Sequence, residues 1–192
     1  MGRINILNEV SIKQILSIFP INYSDRKIEL ITEERIDEYI DILMSDYFNE
    51  ELYNKFNEQF SKEELKSILV HRIRRYDKFS GSAKEYRTII VDKDTNNIIG
   101  TLTVYFHGSG VEIAYFTKKE YQRHGEMYSA IKNLLTQLKS LGLNIGYIDA
   151  HVRVENKSSI GLLNKLGFYK YKSLKENGMN LYEYRNSIQN IK

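Results

Sequence analysis

The sequence predicts a single domain of the mixed α/β class, with helices packed around a largely antiparallel sheet. The length of 192 residues suits one hydrophobic core. The chain contains a single proline and no Gly/Ser-rich stretch, so the sequence shows no linker between domains. Apolar residues change from helical to strand spacing and back along it. We expect two parts, an N-terminal helical appendage at residues 1–27 and the domain itself at residues 28–192.

The first half of the chain predicts three helices and one short strand, located by helical apolar spacing and by capping residues. The clearest start signal is Ser61 with Glu64, the spacing of a capping box. The predicted elements are a helix at residues 11–19 ended by Pro20, a strand at residues 27–31, a helix capped by Thr32 that extends to Phe48, and a helix from Ser61 to Ile73.

The second half predicts an antiparallel meander, a crossover unit and a terminal hairpin. Turn residues separate the strands of the meander, and a strand, a helix and a neighbouring strand make a crossover that we expect to be parallel and right-handed. The predicted elements are strands at residues 86–91, 98–106 and 111–117, a helix at 128–141, a strand at 145–154, a helix at 158–166, and hairpin strands at 168–173 and 180–185.

Composition excludes several classes of function. The chain has no cysteine, so a disulfide framework, a thiolate zinc site, an iron–sulfur cluster and a cysteine nucleophile are all excluded. No apolar run suits a signal peptide or a membrane span, and we expect a cytoplasmic protein with no membrane partner. The net charge of +3 is too balanced to indicate a nucleic-acid partner.

The charges are unevenly distributed. Residues 1–96 carry 15 basic and 18 acidic residues, whereas residues 97–192 carry 13 and 7, so the second half favours a polyanionic ligand. Residues 29–64 hold 12 acids against three basic residues. A solvated helix face explains this stretch most simply; the alternative is a surface that attracts a cationic acceptor.

A strand that runs through a short glycine-containing loop into a helix predicts an anion site at residues 122–127. Gly125 allows the backbone to approach a phosphate closely, and the N–H groups and dipole of the helix N-terminus favour a pyrophosphate there. Arg123 and His124 can add positive charge. An ordinary tight turn is the alternative interpretation of this glycine.

Gln122-Arg123-His124-Gly125-Glu126-Met127 resembles the pyrophosphate loop of the GCN5-related N-acetyltransferase (GNAT) superfamily, and residues 156–168 resemble that family's second signature. Residues 112–115, and Glu155-Asn156 with Ser159, are most similar to the ribosomal-protein (Rim-type) acetyltransferase branch. The resemblance is strong from residue 98 to residue 171 and negligible before residue 27.

The resemblance implies a GNAT-like fold, in which a central pair of strands splays apart, and acetyl-CoA as cosubstrate. The strands at residues 111–117 and 145–154 would form the cleft. Asn156 would hydrogen-bond the pantetheine arm, with an N-cap of the following helix as the alternative. The other implied cofactor-binding residues are Tyr115, Phe116 and Thr117 along the arm, and Gln122, Arg123, His124, Gly125, Glu126 and Met127 at the pyrophosphate.

Two residues depart from the family pattern. Met127 stands where the loop motif usually has Gly or Ala, and its side chain would crowd the phosphates unless it turns into the core. Leu163 stands where many members carry a tyrosine that protonates the departing thiolate, although Rim-type members often lack this tyrosine. A thiolate, with a reference pKa near 8.5, leaves tolerably well without a placed acid.

The implied reaction is direct attack of a primary amine on the thioester. Glu112 is the leading candidate for the catalytic base, and a solvent-facing strand residue is the alternative. Asp149 and His151, on the facing strand at equal parity, can replace it, although a structural role is simpler for His151. His107 is interpreted as a turn residue, and no residue is assigned to a metal.

The main hypothesis is therefore an acetyl-CoA-dependent N-acetyltransferase whose acceptor is a small cationic amine or a protein or peptide N-terminus. The alternative is a noncatalytic acyl-CoA-binding regulatory module of the same fold. A third hypothesis, an RNA-directed protein, depends on the basic cluster at residues 71–76. The alternative explanation is that these cations complement the dipole at the C-terminus of the predicted helix. A homodimer is compatible with the sequence.

Overall fold

The computed structural model describes residues 8–45, 59–78, 83–176 and 178–191. Its helices are α1 (Glu9–Ser17), α2 (Ile36–Met44), α3 (Lys62–Ile73), α4 (Glu126–Ser140) and α5 (Lys157–Lys165). Its strands are β1 (Ile21–Tyr23), β2 (Arg26–Leu30), β3 (Ala83–Asp92), β4 (Ile98–His107), β5 (Gly110–Thr117), β6 (Tyr147–Arg153), β7 (Tyr169–Glu176) and β8 (Met179–Asn186).

These strands form one mixed sheet in the order β1-β2-β3-β4-β5-β6-β8-β7. Of its seven neighbouring pairs, β5 with β6 is parallel and the others are antiparallel. The predicted class, a mixed and mostly antiparallel α/β domain, is confirmed. The predicted meander, crossover and hairpin appear as β3 to β5, β5-α4-β6 and β7-β8.

The N-terminal segment packs into the same core as the rest of the chain. Helix α1 begins two residues earlier than predicted, because Asn8 and Ser11 form a capping box. Ile12 and Ile15 are each 1% exposed and belong to the core, and β1, a strand that was not predicted, pairs with β2. The expected boundary at residues 27 and 28 therefore does not coincide with a break in the packing.

The two helices that follow begin differently. Thr32 makes no side-chain cap, and a 3-10 turn at Glu33–Arg35 precedes α2; Tyr47 and Phe48 lie outside the described residues. The capping box that starts α3 is confirmed, because Ser61 accepts from the Glu64 N–H and the Glu64 carboxylate accepts from the Ser61 N–H.

Acidic residues of the 3-10 turn and α2 pair with basic residues of α3 and its C-cap. The Arg74 guanidinium lies 2.7 Å from Glu33, and the Lys66 ammonium lies 2.7 Å from Asp37. These side chains are exposed, and such pairs add little to stability. The solvated-face interpretation of this part of the acidic stretch is therefore the one that the structure supports.

The ladder between β5 and β6 is much shorter than either strand. It contains three residue pairs and ends where Glu112 pairs with Asp149. The ladders on the outer sides of these two strands continue further: β5 stays paired with β4 up to Thr117, and β6 stays paired with β8 up to Arg153. Beyond Glu112 the two strands therefore diverge, which is the splayed central pair that the sequence resemblance implied.

The two edges of the sheet differ. Strand β1 has three residues, whereas β7 has eight and exposes lysines at positions 170, 172 and 175 together with Tyr169 and Tyr171. No helix among the described residues combines the length and apolar character needed to cross a membrane.

Candidate active site

A cleft of about 610 Å³ opens where β5 and β6 diverge. One wall is β5 and the start of α4, and the other is β6 and the start of α5. The residues that line it are Glu112 to Thr117, Tyr121, Gln122, Arg123, Gly125 to Tyr128, His151, Val152, Arg153, Asn156, Ser158, Ser159, Leu162, Met179 and Leu181. Of the predicted cofactor-binding residues, all except His124, which is exposed elsewhere on the loop, line this cleft; so do the candidate bases Glu112 and His151, but not Asp149.

The N-terminus of α4 faces the cleft without a side-chain cap. Gly125 is its N-cap and has the left-handed conformation, with φ of +80°. The first N–H groups of a helix have no acceptor within the helix, and the 15-residue helix adds a positive dipole end. No atom lies within 4 Å of the position that a Cβ at Gly125 would take, so the space above the loop is open to a ligand.

Side chains of the loop fix its shape rather than fill the cleft. The Gln122 amide donates to the Thr117 carbonyl at 3.2 Å, which ties the loop to the end of β5. The Glu126 carboxylate accepts two hydrogen bonds from the Arg26 guanidinium on β2, at 3.0 and 3.2 Å. This pairing neutralises an acid that would otherwise repel an anion at the helix start.

Met127 lies in the hydrophobic core with 7% of its surface exposed. Met127 also lines the cleft, but most of its side chain packs in the core rather than standing in the open space at the helix N-terminus. The concern that a residue larger than glycine or alanine would crowd the phosphates is answered by this orientation.

Asn156 caps α5. Its Oδ1 accepts from the Ser159 N–H at 2.9 Å and from the Ser158 hydroxyl at 2.8 Å. Both bonds use Oδ1, which leaves the Nδ2 amide as a donor toward the cleft that Asn156 also lines. The capping role and the predicted ligand-binding role are therefore compatible.

A hydroxyl pair lies across the cleft. The Tyr115 hydroxyl is 2.6 Å from the Ser159 hydroxyl. Burial raises the pKa of Tyr115 to about 12, and the hydrogen bond with Ser159 opposes this shift, so the phenol stays protonated near neutral pH. Leu163 is fully buried and has no donor. The sequence assigned only backbone contacts to Tyr115, because residues 44 positions apart carry no local signal of pairing.

Glu112 lies at the apex of the cleft, with 30% of its side chain exposed. Its carboxylate is 3.9 Å from Nδ1 of His151, whose Nε2 is 3.8 Å from Glu183. Burial raises the pKa of Glu112; His151 opposes this shift and Asp149 adds to it. The candidates named from the sequence, Glu112, Asp149 and His151, thus lie together.

Glu183 differs from Glu112 in its partners. Burial alone would raise the pKa of Glu183, but hydrogen bonds from Lys172 and Arg185 outweigh burial and lower it. Among the described residues, no lysine or arginine nitrogen lies within 4 Å of the Glu112 carboxylate. Glu112 is therefore the better proton acceptor of the two.

Diverging strands beside an uncapped helix N-terminus are the arrangement expected of a class of protein that binds an elongated ligand with an anionic end. The acetyltransferase (GNAT) family model matches residues 43–168, and the chain belongs to this family of N-acetyltransferases, which use acetyl-CoA as cosubstrate. The family prediction from the sequence is confirmed. No curated protein matches the chain significantly.

Solved structures share this fold at low sequence identity. Ribosomal-protein-S5-alanine acetyltransferase from Vibrio fischeri is 18% identical, with a TM-score of 0.69 over 90% of this chain and 98% of that one. Spermidine N-acetyltransferase from Vibrio cholerae, in complex with CoA and spermine, is 17% identical, with a TM-score of 0.73 over 87% and 98%. A Salmonella typhimurium enzyme that modifies the N-terminal serine of ribosomal protein L7/L12 is 16% identical, with a TM-score of 0.70 over 87% and 98%.

Gly125→Ala should weaken CoA binding at least tenfold, because the new methyl group enters the open space above the loop. Gly142 is the matched control: it follows α4, its φ is +64°, and no atom lies within 4 Å of its Cβ position. Both variants should lose about 1–2 kcal/mol of stability through left-handed strain. Calorimetric titration with CoA measures the affinities, and urea unfolding measures the stabilities. Equal CoA affinities of the Gly125→Ala and Gly142→Ala proteins would contradict the assignment of residues 122–127 as the pyrophosphate-binding loop.

Asn156→Ser separates the cap from the ligand contact. Serine also caps helices, so stability should stay within about 0.5 kcal/mol, whereas Asn156→Ala should lose about 1 kcal/mol. Both variants lack the Nδ2 donor and should bind CoA more weakly than the wild type. If Asn156→Ser binds CoA with wild-type affinity in the same titration, Asn156 is a cap alone.

Proposed function

We propose that this protein transfers the acetyl group of acetyl-CoA to a primary amine by direct attack of the amine on the thioester. The observation that carries the proposal is Glu112, a partly exposed carboxyl group with a raised pKa at the apex of the cleft. A base with a pKa nearer to neutrality accepts a proton from an amine more effectively. The chain has no cysteine, which agrees with transfer without a thioester to the enzyme.

The cofactor would lie along β5. The main chain of residues 115–117 lines the cleft and can pair with the pantetheine arm as an added strand would. The N-terminus of α4 would hold the pyrophosphate, and Nδ2 of Asn156 would donate to the arm. Holding the thioester and the amine in this geometry can lower the barrier by roughly 7–11 kcal/mol in favourable cases.

Departure of the thiolate does not require a tyrosine at the position of Leu163. We assign to the hydroxyl pair of Tyr115 and Ser159, which lines the cleft, a hydrogen bond to the departing thiolate; because the pKa of Tyr115 is raised to about 12, the phenol keeps its proton and solvent protonates the released thiolate. A thiol with a reference pKa near 8.5 needs only modest assistance to leave.

The acceptor would be a small cationic amine or a protein or peptide N-terminus, in the cytoplasm. Keeping a lysine-like amine of pKa about 10.4 neutral at pH 7 costs roughly 4.6 kcal/mol, whereas an α-amine near 7.8 costs about 1 kcal/mol. A single carboxylate base therefore favours an α-amine, such as a peptide N-terminus, as the acceptor. The negative charge of the carboxyl groups at the apex favours a small cationic amine. Neighbours of the same fold that are named for spermidine and for ribosomal proteins support both classes.

The basic cluster at residues 71–76 does not support the hypothesis of an RNA-directed protein. Arg72 pairs with Glu85 and Arg74 pairs with Glu33, at 2.6 and 2.7 Å. Tyr76 is 8% exposed, so its ring cannot stack on a base. Two of the three arginines in the cluster are thus already engaged by acids.

Acetyl transfer to a panel of amines tests the proposal. Peptides with a free N-terminus, the same peptides blocked at the N-terminus but carrying an internal lysine, and spermidine should separate the acceptor classes. Release of CoA can be followed with a thiol reagent, because this protein has no thiol of its own. Turnover with the free peptide or spermidine is expected; CoA binding without turnover on any amine would support the noncatalytic alternative.

Glu112→Gln should lower kcat/KM at least about 100-fold, because the amide cannot accept the proton. With an α-amine peptide, kcat/KM of the wild type at low pH should be inversely proportional to the square of the proton concentration, since both the amine and Glu112 must be deprotonated. For the variant it should be inversely proportional to the proton concentration itself. Glu38→Gln, an exposed carboxyl group on α2, is the control; identical pH profiles for all three proteins would remove Glu112 from catalysis.

A further inference from the structure

We propose that His107, Glu112 and Asp149 form a binding site for a divalent transition-metal ion of the zinc type. Their ligand atoms, an imidazole nitrogen and two carboxylate oxygens, lie within 4.8 Å of one another. The residues come from the end of β4, from β5 and from β6, which the sheet brings side by side. The site therefore lies at the apex of the splay, where Glu112 also lines the cleft proposed for the cofactor.

Asp149 provides the second observation that points to a ligand. Its side chain is only 6% exposed, and its Oδ1 has no hydrogen-bond partner. Nε2 of His107 also has no hydrogen-bond partner and lies 3.6 Å from this oxygen. Buried polar atoms are normally satisfied, so two facing atoms without partners indicate a group that belongs between or beside them.

Charge also favours a cation here. Among the residues that the structure describes, neither Glu112 nor Asp149 has a lysine or arginine nitrogen within 4 Å. Burial raises the pKa of both carboxyl groups; Asp149 adds to the shift of Glu112 and Glu183 adds to that of Asp149, whereas His107 and His151 oppose both shifts. A divalent ion would compensate the negative charge of this buried acid and its partly exposed neighbour.

A neighbouring group of possible ligands, Asp149, His151 and Glu183, is less suitable. The Glu183 carboxylate is already bound on both oxygens, by Arg185 and by Lys172. Arg185 is itself held between the rings of Tyr147 and Tyr171, at 4.1 and 3.8 Å. Glu183 would have to lose these partners to bind a metal, whereas Glu112 and Asp149 would not.

The donor set selects the type of metal. One imidazole and two carboxylates suit zinc and its neighbours, and a water would complete four-coordination. Bonds of about 2.0–2.2 Å place tetrahedral ligand atoms roughly 3.3–3.6 Å apart. The His107 and Asp149 atoms already have this separation, and the Glu112 oxygen, which lies within 4.8 Å of both, must approach to complete the site. His107 is 39% exposed and provides the route of entry from solvent.

Titration of the full-length, untagged protein with Zn²⁺ alone, in a calorimeter, tests the site. We expect one ion to bind with micromolar affinity, and Co²⁺ to give the visible absorption of a four-coordinate nitrogen and oxygen site. Absence of Zn²⁺ binding at micromolar concentrations would overturn the proposal.

His107→Ala and Asp149→Asn should each weaken Zn²⁺ binding at least about tenfold. His71→Ala is the matched control, because His71 is exposed on α3 and its loss should leave the affinity unchanged. Asp149→Asn keeps the shape of the side chain and guards against a folding defect in the alanine variant. Equal affinities for the wild type and both site variants would show that Zn²⁺ binds elsewhere, against the proposal.

A second measurement uses activity and depends on the proposed function. A bound metal occupies Glu112, so Zn²⁺ should inhibit acetyl transfer by the wild type and inhibit the His107→Ala protein at concentrations at least tenfold higher. Direct binding without inhibition would keep the metal site and count against Glu112 as the base. Inhibition without direct binding would overturn the metal site and leave the acetyltransferase untouched.

Discussion

The early end of the β5–β6 ladder is the constraint on which the cleft depends. Two long outer ladders hold the strands on either side, with β5 bound to β4 and β6 bound to β8. Gly100 contributes to this arrangement, because a Cβ there would collide with the Phe116 carbonyl and prevent β5 from lying close to β4. The gap is therefore held open by ordinary sheet pairing, and the main chain of both strands is positioned before any ligand arrives.

The same constraint decides where uncompensated charge lies. Buried or half-buried acids around the sheet have basic partners: Arg26 binds Glu126, Arg72 and Arg87 bind Glu85, and Arg185 binds Glu183. Glu112 and Asp149 form the last pair of the short ladder and have histidines instead. Neither of these acids has a permanently charged guanidinium or ammonium within 4 Å among the described residues, so the apex is the place where proton transfer and cation binding are both feasible.

Signals between residues close in sequence predicted much of this structure. The capping box of Ser61 and Glu64, the glycine at the start of α4, and the order of the crossover each depend on a few neighbouring residues, and each is present. Strand β1 was missed because three residues are too few to show a period of two.

Contacts between distant residues were missed for a different reason. Arg26 and Glu126 are 100 positions apart, and their pairing follows only from the fold. His107 was interpreted as a turn residue from its glycine neighbour, yet it ends β4 and faces Asp149. The predicted roles of Glu112, Asn156 and the loop residues stay predictions, although the structure gathers all of them except His124 at one cleft.

The open edges of the sheet also determine how copies of the protein meet. A free strand edge invites another strand to add, and repeated addition leads to aggregates. Strand β1 offers only three residues for such pairing. Strand β7 exposes lysines at positions 170, 172 and 175; Lys172 pairs with Glu183 of its own molecule, so Lys170 and Lys175 are the charges that would come close to like charges on an incoming copy. Growth of the sheet beyond one molecule is thus opposed at both ends, and the protein can keep exposed tyrosines on β7 without the polymerisation that a neutral edge would favour.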